Sequence, residues 1–246
     1  MDTKQLNTQM NMYIENPFAS PTEVAAGDYF VGRKSVLKRM HDYVVYEDRI
    51  CNYHIVGLPR IGKSSLLKKF QEHTLENHYN LDLIVIYLSL DTCNSSDEMW
   101  ENIGRGLRKE LKRQFGSSDK YKVFEEELEF EDVDENNIDY KYVCSVALSM
   151  KTAGFYGLVL IDEFDNFSSI AKKGTVGQIR TLLSGPDYGV RAIVASRRMV
   201  ERIEKEVEGA INSNVSILAA IFANGHNLES FNEDDMNEYW AAISKK

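Results

Sequence analysis

Gly57-Leu58-Pro59-Arg60-Ile61-Gly62-Lys63-Ser64 is the stretch from which the fold is read. It fits the spacing G-x-x-x-x-G-K-[ST]. The glycines let the backbone wrap a phosphate with its N–H groups pointing inward, and the helix that follows turns its positive dipole end on the same anion. Lys63 is placed to reach β- and γ-phosphates, and the Ser64 hydroxyl to bind Mg2+. Average residue frequencies produce the pattern by chance roughly once in a hundred chains of this length. Its surroundings argue against a glycine-rich turn without a ligand. Ile50 to Val56 reads as an apolar strand entering the loop, and Leu66, Leu67 and Phe70 recur on one face of a helix from Lys63 to about Glu76.

Strands and helices continue to alternate on either side. Upstream, Val36, Leu37, Met40 and Val44 share a helical face after Gly32. Downstream, Leu83 to Leu90 is an apolar run with the look of a buried parallel strand, and it closes a βαβ unit. Trp100, Ile103, Leu107 and Leu111 mark a helix whose other face carries Arg105, Arg108, Lys109 and Lys112, most simply a solvated face. Eight of the eleven residues from Glu125 to Glu135 are acidic. Self-repulsion predicts an extended, exposed insertion over about residues 117–137. Tyr142, Val146, Leu148 and Met150 predict a further helix, Gly157 to Ile161 a short apolar strand, Val176, Ile179, Leu182 and Leu183 a helix ending near Gly185-Pro186, and Val190 to Ala195 the next strand. Such alternation requires a parallel sheet covered on both sides, a three-layer α/β fold.

Two strand ends add chemistry to the loop. The strand into Asp162-Glu163 puts Asp162 at the carboxyl edge of the sheet, where it can hold magnesium through water, and Glu163 beside it can orient an attacking water. Ala195-Ser196-Arg197-Arg198 ends the next strand. If that strand lies between the loop strand and the acidic strand, Arg197 would face the γ-phosphate and could sense it; a solvated cation at a helix start is the equally weighted alternative.

Composition narrows the class. Among 246 residues, 43% hydrophobic and 27% charged side chains are close to soluble globular averages. No run approaches the apolar length of a spanning helix, and Met1-Asp2-Thr3-Lys4-Gln5 does not open a signal peptide, so the expected compartment is the cytoplasm. Cys51, Cys93 and Cys144 read as reduced structural thiols, with Cys51 and Cys144 in apolar patterns, and the five histidines show no zinc spacing. A net charge of −9 disfavours a broad grip on nucleic acid and favours a protein or small-molecule partner.

The three strand ends, with Asn16-Pro17-Phe18 and Tyr29-Phe30-Val31-Gly32-Arg33, resemble the AAA+ and STAND ATPases, and the loop through Ser65-Leu66-Leu67 and the phrase Ile161-Asp162-Glu163-Phe164-Asp165 are most similar to bacterial and archaeal STAND-like members. The resemblance covers about residues 16–231. It implies a five-stranded parallel sheet ordered 5-1-4-3-2, ATP and Mg2+ as ligands, and Phe30, Val31, Gly32 and Arg33 packed beside the adenine. It divides the chain into an N-terminal arm at 1–27, an ATPase core at 28–231 and a C-terminal helix at 232–246. That helix, with Met236, Tyr239, Trp240 and Ile243 in a stripe, is a candidate start of a lid otherwise missing; packing on the chain's own core is slightly favoured over another subunit or an absent segment. An arginine from a neighbouring subunit often completes such sites, and Arg180 is a weak candidate donor. The absence of an N-K-x-D phrase favours ATP over GTP. A nucleotide-operated switch with slow Mg-dependent hydrolysis, in signalling or defence, is the leading expectation. A DNA-handling AAA+ ATPase, whether initiator, loader or transposition helper, is the alternative, and a small-molecule kinase finds no acceptor pocket or arginine-rich lid.

Overall fold

The computed structural model describes residues 30–46, 49–76, 81–131, 137–209 and 216–244. The expected arm at 1–27 lies outside the described residues. The chain starts with α1 (Lys34–Val44), a short hairpin of β1 (Val45–Tyr46) and β2 (Arg49–Ile50), and the loop strand β3 (Tyr53–Gly57). It continues through α2 (Lys63–Glu76), β4 (Asp82–Ser89), α3 (Ser96–Phe115), α4 (Asp119–Phe130), α5 (Tyr140–Thr152) and β5 (Phe155–Asp162). The remaining elements are α6 (Phe167–Ile170), α7 (Thr175–Ser184), β6 (Val190–Ser196), α8 (Val200–Glu208), α9 (Ile217–Ile221), β7 (Gly225–Leu228) and α10 (Glu233–Ile243).

β4, β5, β6, β3 and β7 lie side by side in that order and pair in parallel. The numerals of the expected order, 5-1-4-3-2, need correcting for the whole chain, because the hairpin precedes the sheet. The apolar run from Ile50 to Val56 is not one strand: Arg49–Ile50 pairs back on β1 and β3 begins at Tyr53. The residues of β7 are not picked out by any sequence pattern, although the resemblance implies a fifth strand beside the loop strand. β6 separates the loop strand from the acidic strand.

Side chains alternate across the sheet with period two. Leu83 and Val85, Leu158 and Leu160, and Ile193 and Ala195 share a core with Leu66, Leu67 and Phe70 of α2 and with α1. Ile84 and Ile86, Val159 and Ile161, and Ala192 and Val194 face α3, α5 and α7 on the other side. Each fully buried Leu or Phe contributes about 2 kcal/mol by leaving water, so Leu66, Leu67 and Phe70 seat the loop's own helix firmly on the sheet.

Two expectations are overturned. Residues 119–130 of the acidic stretch form a packed helix, because Tyr121, Phe124 and Leu128 recur at helical spacing and are buried in the α3–α5 core while the acids face outward. Residues 132–136 lie outside the described residues. Cys93 is the buried thiol, and Cys51 and Cys144 are only half-buried. On α10 the stripe residues Trp240 and Met236 are 57% and 37% exposed, and among the residues of this helix whose burial is described Asp235 is the buried one. On α3, Arg105 pairs with Glu101, Arg113 with Glu110, and Arg108 approaches Glu125, as befits a solvated face. Among the described residues no helix is long and apolar enough to cross a membrane.

Candidate functional site

β3 delivers the loop at the carboxyl edge of the sheet, and β5 and β6 end beside it. Gly57 has room for no side chain: a Cβ there would lie 2.9 Å from Ile61 Cγ2 and 3.0 Å from the Leu228 carbonyl oxygen. Gly62, at φ +99, faces open space where a Cβ would touch nothing within 4 Å. The loop is thus open to solvent at Gly62, and Leu58, Pro59 and Arg60 are exposed beside it. Lys63 is buried, with its ammonium donating to the carbonyls of Gly57 at 2.9 Å and Leu58 at 3.0 Å. Burial pushes the ammonium below its ordinary range, opposed by the nearby charges of Glu163, Asp162 and Asp165. Ser64 and Ser65 follow in the half-buried first turn of α2.

Asp162 ends β5 almost fully buried, on the α2 side of the sheet like Leu158 and Leu160. One carboxylate oxygen accepts from the Tyr87 hydroxyl at 2.7 Å and the other from the Glu163 N–H at 2.9 Å. Glu163 then takes a left-handed backbone, φ 48, ψ 43. Arg33, Arg60 and Glu163 are the non-glycine residues of positive φ among those described. Strained backbone of this kind collects at working sites, and one such residue stands in the loop, one in the acidic turn and one in the Val31-Gly32-Arg33 segment.

Arg197 lies in this cluster, with Nη2 3.6 Å from Glu163 and Nε 3.6 Å from Asp165. Asp165 was not singled out from the sequence, yet it holds the tip of β6. Its buried carboxylate accepts from the Arg197 N–H at 2.6 Å and from Arg198 Nε at 2.9 Å. Ser196 points to the opposite face, where its hydroxyl donates to the Arg198 carbonyl at 2.5 Å and meets Nε2 of the buried His54 at 2.7 Å. Because the serine proton is engaged, His54 Nε2 is the donor in that contact.

The four residues expected beside an adenine divide. Phe30 and Gly32 line a cavity of about 710 Å³ between α1 and α2, together with Leu37, His41, Lys69 and His73. Lys69 sits six residues beyond Lys63, roughly 9 Å farther along the helix. Arg33 turns toward the loop instead: its Nη2 is 3.4 Å from the Ile61 carbonyl oxygen, and its guanidinium lies 4.7 Å over the Phe231 ring. Val31 is half-buried. Arg180 is exposed on α7.

A glycine-bounded loop, a lysine, a hydroxyl and a carboxylate at the end of the strand next but one make a donor set suited to a magnesium–triphosphate. Among the described residues no group of three or more His, Cys, Asp or Glu could hold a metal ion by itself. A hard cation held chiefly by phosphate oxygens and water needs no such group.

No protein-family model and no curated protein sequence matches the chain. Solved structures do. The ORC1 protein of Aeropyrum pernix in complex with DNA superposes with a TM-score of 0.54 at 9% identity, over 89% of this chain and 51% of that one. A Walker-type ATPase of Pyrococcus abyssi gives 0.51 at 14% identity, over 88% and 59%. Cdc6p of Pyrobaculum aerophilum gives 0.53 at 11% identity, over 92% and 52%. The chain spans about half the length of these structures. At such identities the likeness is one of fold alone, a five-stranded parallel sheet covered by helices on both faces.

Proposed function

We propose that this chain is an AAA+-type P-loop ATPase that binds Mg·ATP on the Gly57–Ser65 loop, hydrolyses it slowly, and works on DNA. The observation that carries the ATPase reading is the meeting of Lys63, Asp162 and Glu163 at one sheet edge, close enough for both acids to act on the lysine's charge. In this reading backbone N–H groups of the loop from Leu58 to Ser65, to which Pro59 adds none, cradle the phosphates, and Lys63 leaves its own loop's carbonyls to reach them. Ser64 and Asp162 hold the magnesium, Glu163 orients the water, and Arg197 contacts the γ-phosphate. Magnesium, if bound there, would supply positive charge that offsets the charge of the phosphates. Phe30, Val31 and Gly32 flank the base, and Arg33 braces the loop from behind.

Likeness to ORC1 in complex with DNA supports the DNA-handling assignment over other uses of the fold. The net charge of −9 confines any DNA contact to a local patch. Calorimetric titration with Mg·ATP and a DNA-retention assay across a salt series test the two halves. Heat of binding that disappears in Lys63→Ala, and retention that weakens with salt, are expected. No heat overturns the ATPase reading; heat without retention at any salt overturns the DNA half alone.

A nucleotide-operated switch is the second reading, favoured by one contact chain. Arg33 touches the loop through Ile61 and α10 through Asp235, so loop and C-terminal helix share a residue. Identical hydrodynamic shape with ATP, with ADP and without nucleotide would remove this reading. The likeness to the STAND-like subgroup rests on the loop and the Ile161–Asp165 phrase and adds a signalling or defence setting to the switch.

A further inference from the structure

We infer that Tyr87 is a positioning residue for Asp162: its hydroxyl fixes the carboxylate that serves the magnesium. The inference rests on the Mg·nucleotide reading of the site. Tyr87 and Asp162 come from adjacent parallel strands, paired so that Ser89 stands opposite Asp162 and Tyr87 opposite Leu160. Alternation then puts Leu83, Val85 and Tyr87 of β4 on the same face as Leu158, Leu160 and Asp162 of β5, under α2. The Tyr87 hydroxyl donates to Asp162 Oδ2 at 2.7 Å.

The other oxygen, Oδ1, accepts from the Glu163 N–H at 2.9 Å. With one donor on each oxygen the carboxylate plane is set, and one lone pair per oxygen is left for a magnesium-bound water or for the Ser64 hydroxyl. The ring that carries the hydroxyl is itself held. It is packed beside the core under α2, and Lys68 of that helix places its ammonium 5.6 Å from the ring centroid. Tyr87 thus spans from the helix that begins at the phosphate loop to the acid on the next strand. A phenylalanine would pack against this core as well as a tyrosine does, so the hydroxyl's work is the bond to Asp162. Hydrogen bonds of this kind to metal-serving carboxylates hold the group in its productive orientation, and removing one weakens metal affinity roughly 10–100-fold.

The test uses the full chain and reads binding, not turnover. A fluorescent ADP analogue is titrated once in excess EDTA and once across a Mg2+ series, for wild type, Tyr87→Phe and Tyr156→Phe. Tyr156 is a second tyrosine of the same sheet, whose hydroxyl accepts from Lys151 Nζ at 3.0 Å, and it serves as the control for loss of a phenol group. In Tyr87→Phe the Mg2+ midpoint rises about tenfold or more, while affinity in EDTA and the thermal midpoint stay at wild-type values. Tyr156→Phe changes neither. A wild-type Mg2+ midpoint in Tyr87→Phe, or equal losses with and without Mg2+, overturns the inference and leaves the Mg·nucleotide reading standing. Wild-type protein whose nucleotide affinity ignores Mg2+ overturns that reading itself.

Discussion

The Arg33 backbone N–H donates to the Asp235 carboxylate at 2.6 Å, across 202 positions of sequence. Asp235 is buried and spends its second oxygen on the N–H of Asn232, the N-cap of its own helix, in a reciprocal capping box. Gly32, at φ +78, brings the chain close enough that a Cβ there would stand 3.2 Å from the Asp235 side chain. One carboxylate therefore caps α10 and clamps it to the segment that braces the phosphate loop.

Asp235→Ala should cost about 2 kcal/mol, the worth of a buried hydrogen bond to a charged group, and Asp235→Asn, which keeps an acceptor, should recover most of it. Denaturant unfolding measures the loss. Amide exchange over residues 233–243 should speed up more than over the sheet, since the clamp is local.

Glu163→Gln should keep Mg·ATP affinity and lose turnover by about a hundredfold or more, the usual scale for removing a general base. Arg197→Ala should weaken ATP relative to ADP, because Arg197 is the cation next to Glu163. Calorimetry with both nucleotides and phosphate release under saturation separate the two effects. An Arg197→Ala protein with an unchanged ATP-to-ADP preference would assign that arginine to holding Asp165 alone.

Gly57→Ala should destabilise by about 2 kcal/mol, the range of an overpacked site, since its methyl would press on the Leu228 carbonyl of β7 and on Ile61. Nucleotide affinity should fall with it, as the loop and the edge strand cannot both keep their places. Unfolding and binding titrations of one preparation check both.

Burial pushes the His54 imidazole down from 6.5 to about 4, against the pull of Asp165. Between those values the unfolded chain binds a proton that the folded chain refuses, so stability falls as the pH falls through this window and levels off below it. The loss amounts to about 3 kcal/mol. Urea unfolding of wild type and His54→Gln between about pH 7.5 and about pH 4.5 should show the smaller loss in the variant. Parallel losses would place the pH dependence elsewhere, His41 being the next candidate because burial and His73 also bring it to about 4.

Phe124→Ala should cost about 3 kcal/mol or more, the toll of emptying a large core site, although Phe124 lies in one of the most acidic stretches of the chain. A near-neutral result in denaturant unfolding would return this stretch to the extended insertion that its charge suggested.

The loop and its flanking strand and helix were legible because they are local patterns: an apolar run, a spaced pair of glycines, and Leu66, Leu67 and Phe70 at helical intervals. α4 was misread because a count of charges overrode the weaker signal of Tyr121, Phe124 and Leu128. β7 is Gly-His-Asn-Leu, and only its leucine is buried. It joins the sheet through backbone hydrogen bonds to β3, and those leave no mark on side-chain pattern. Tyr87 with Asp162, and Arg33 with Asp235, pair residues 75 and 202 positions apart. Their meeting depends on strand register and on where α10 docks, which no local pattern records.

Both neighbours of β3, the strands β6 and β7, are made of residues 190–196 and 225–228, long after the phosphate loop in the chain. During synthesis the loop thus leaves the ribosome far ahead of the two strands that hold its edge. Until residue 228 is free, β3 exposes unpaired hydrogen-bonding groups along at least one side. Parallel pairings over such distances form slowly and leave open edges vulnerable to association with other chains. A segment that emerges late completes the place where an early motif acts, so folding of the site is a late event and a point at which chaperones would matter most.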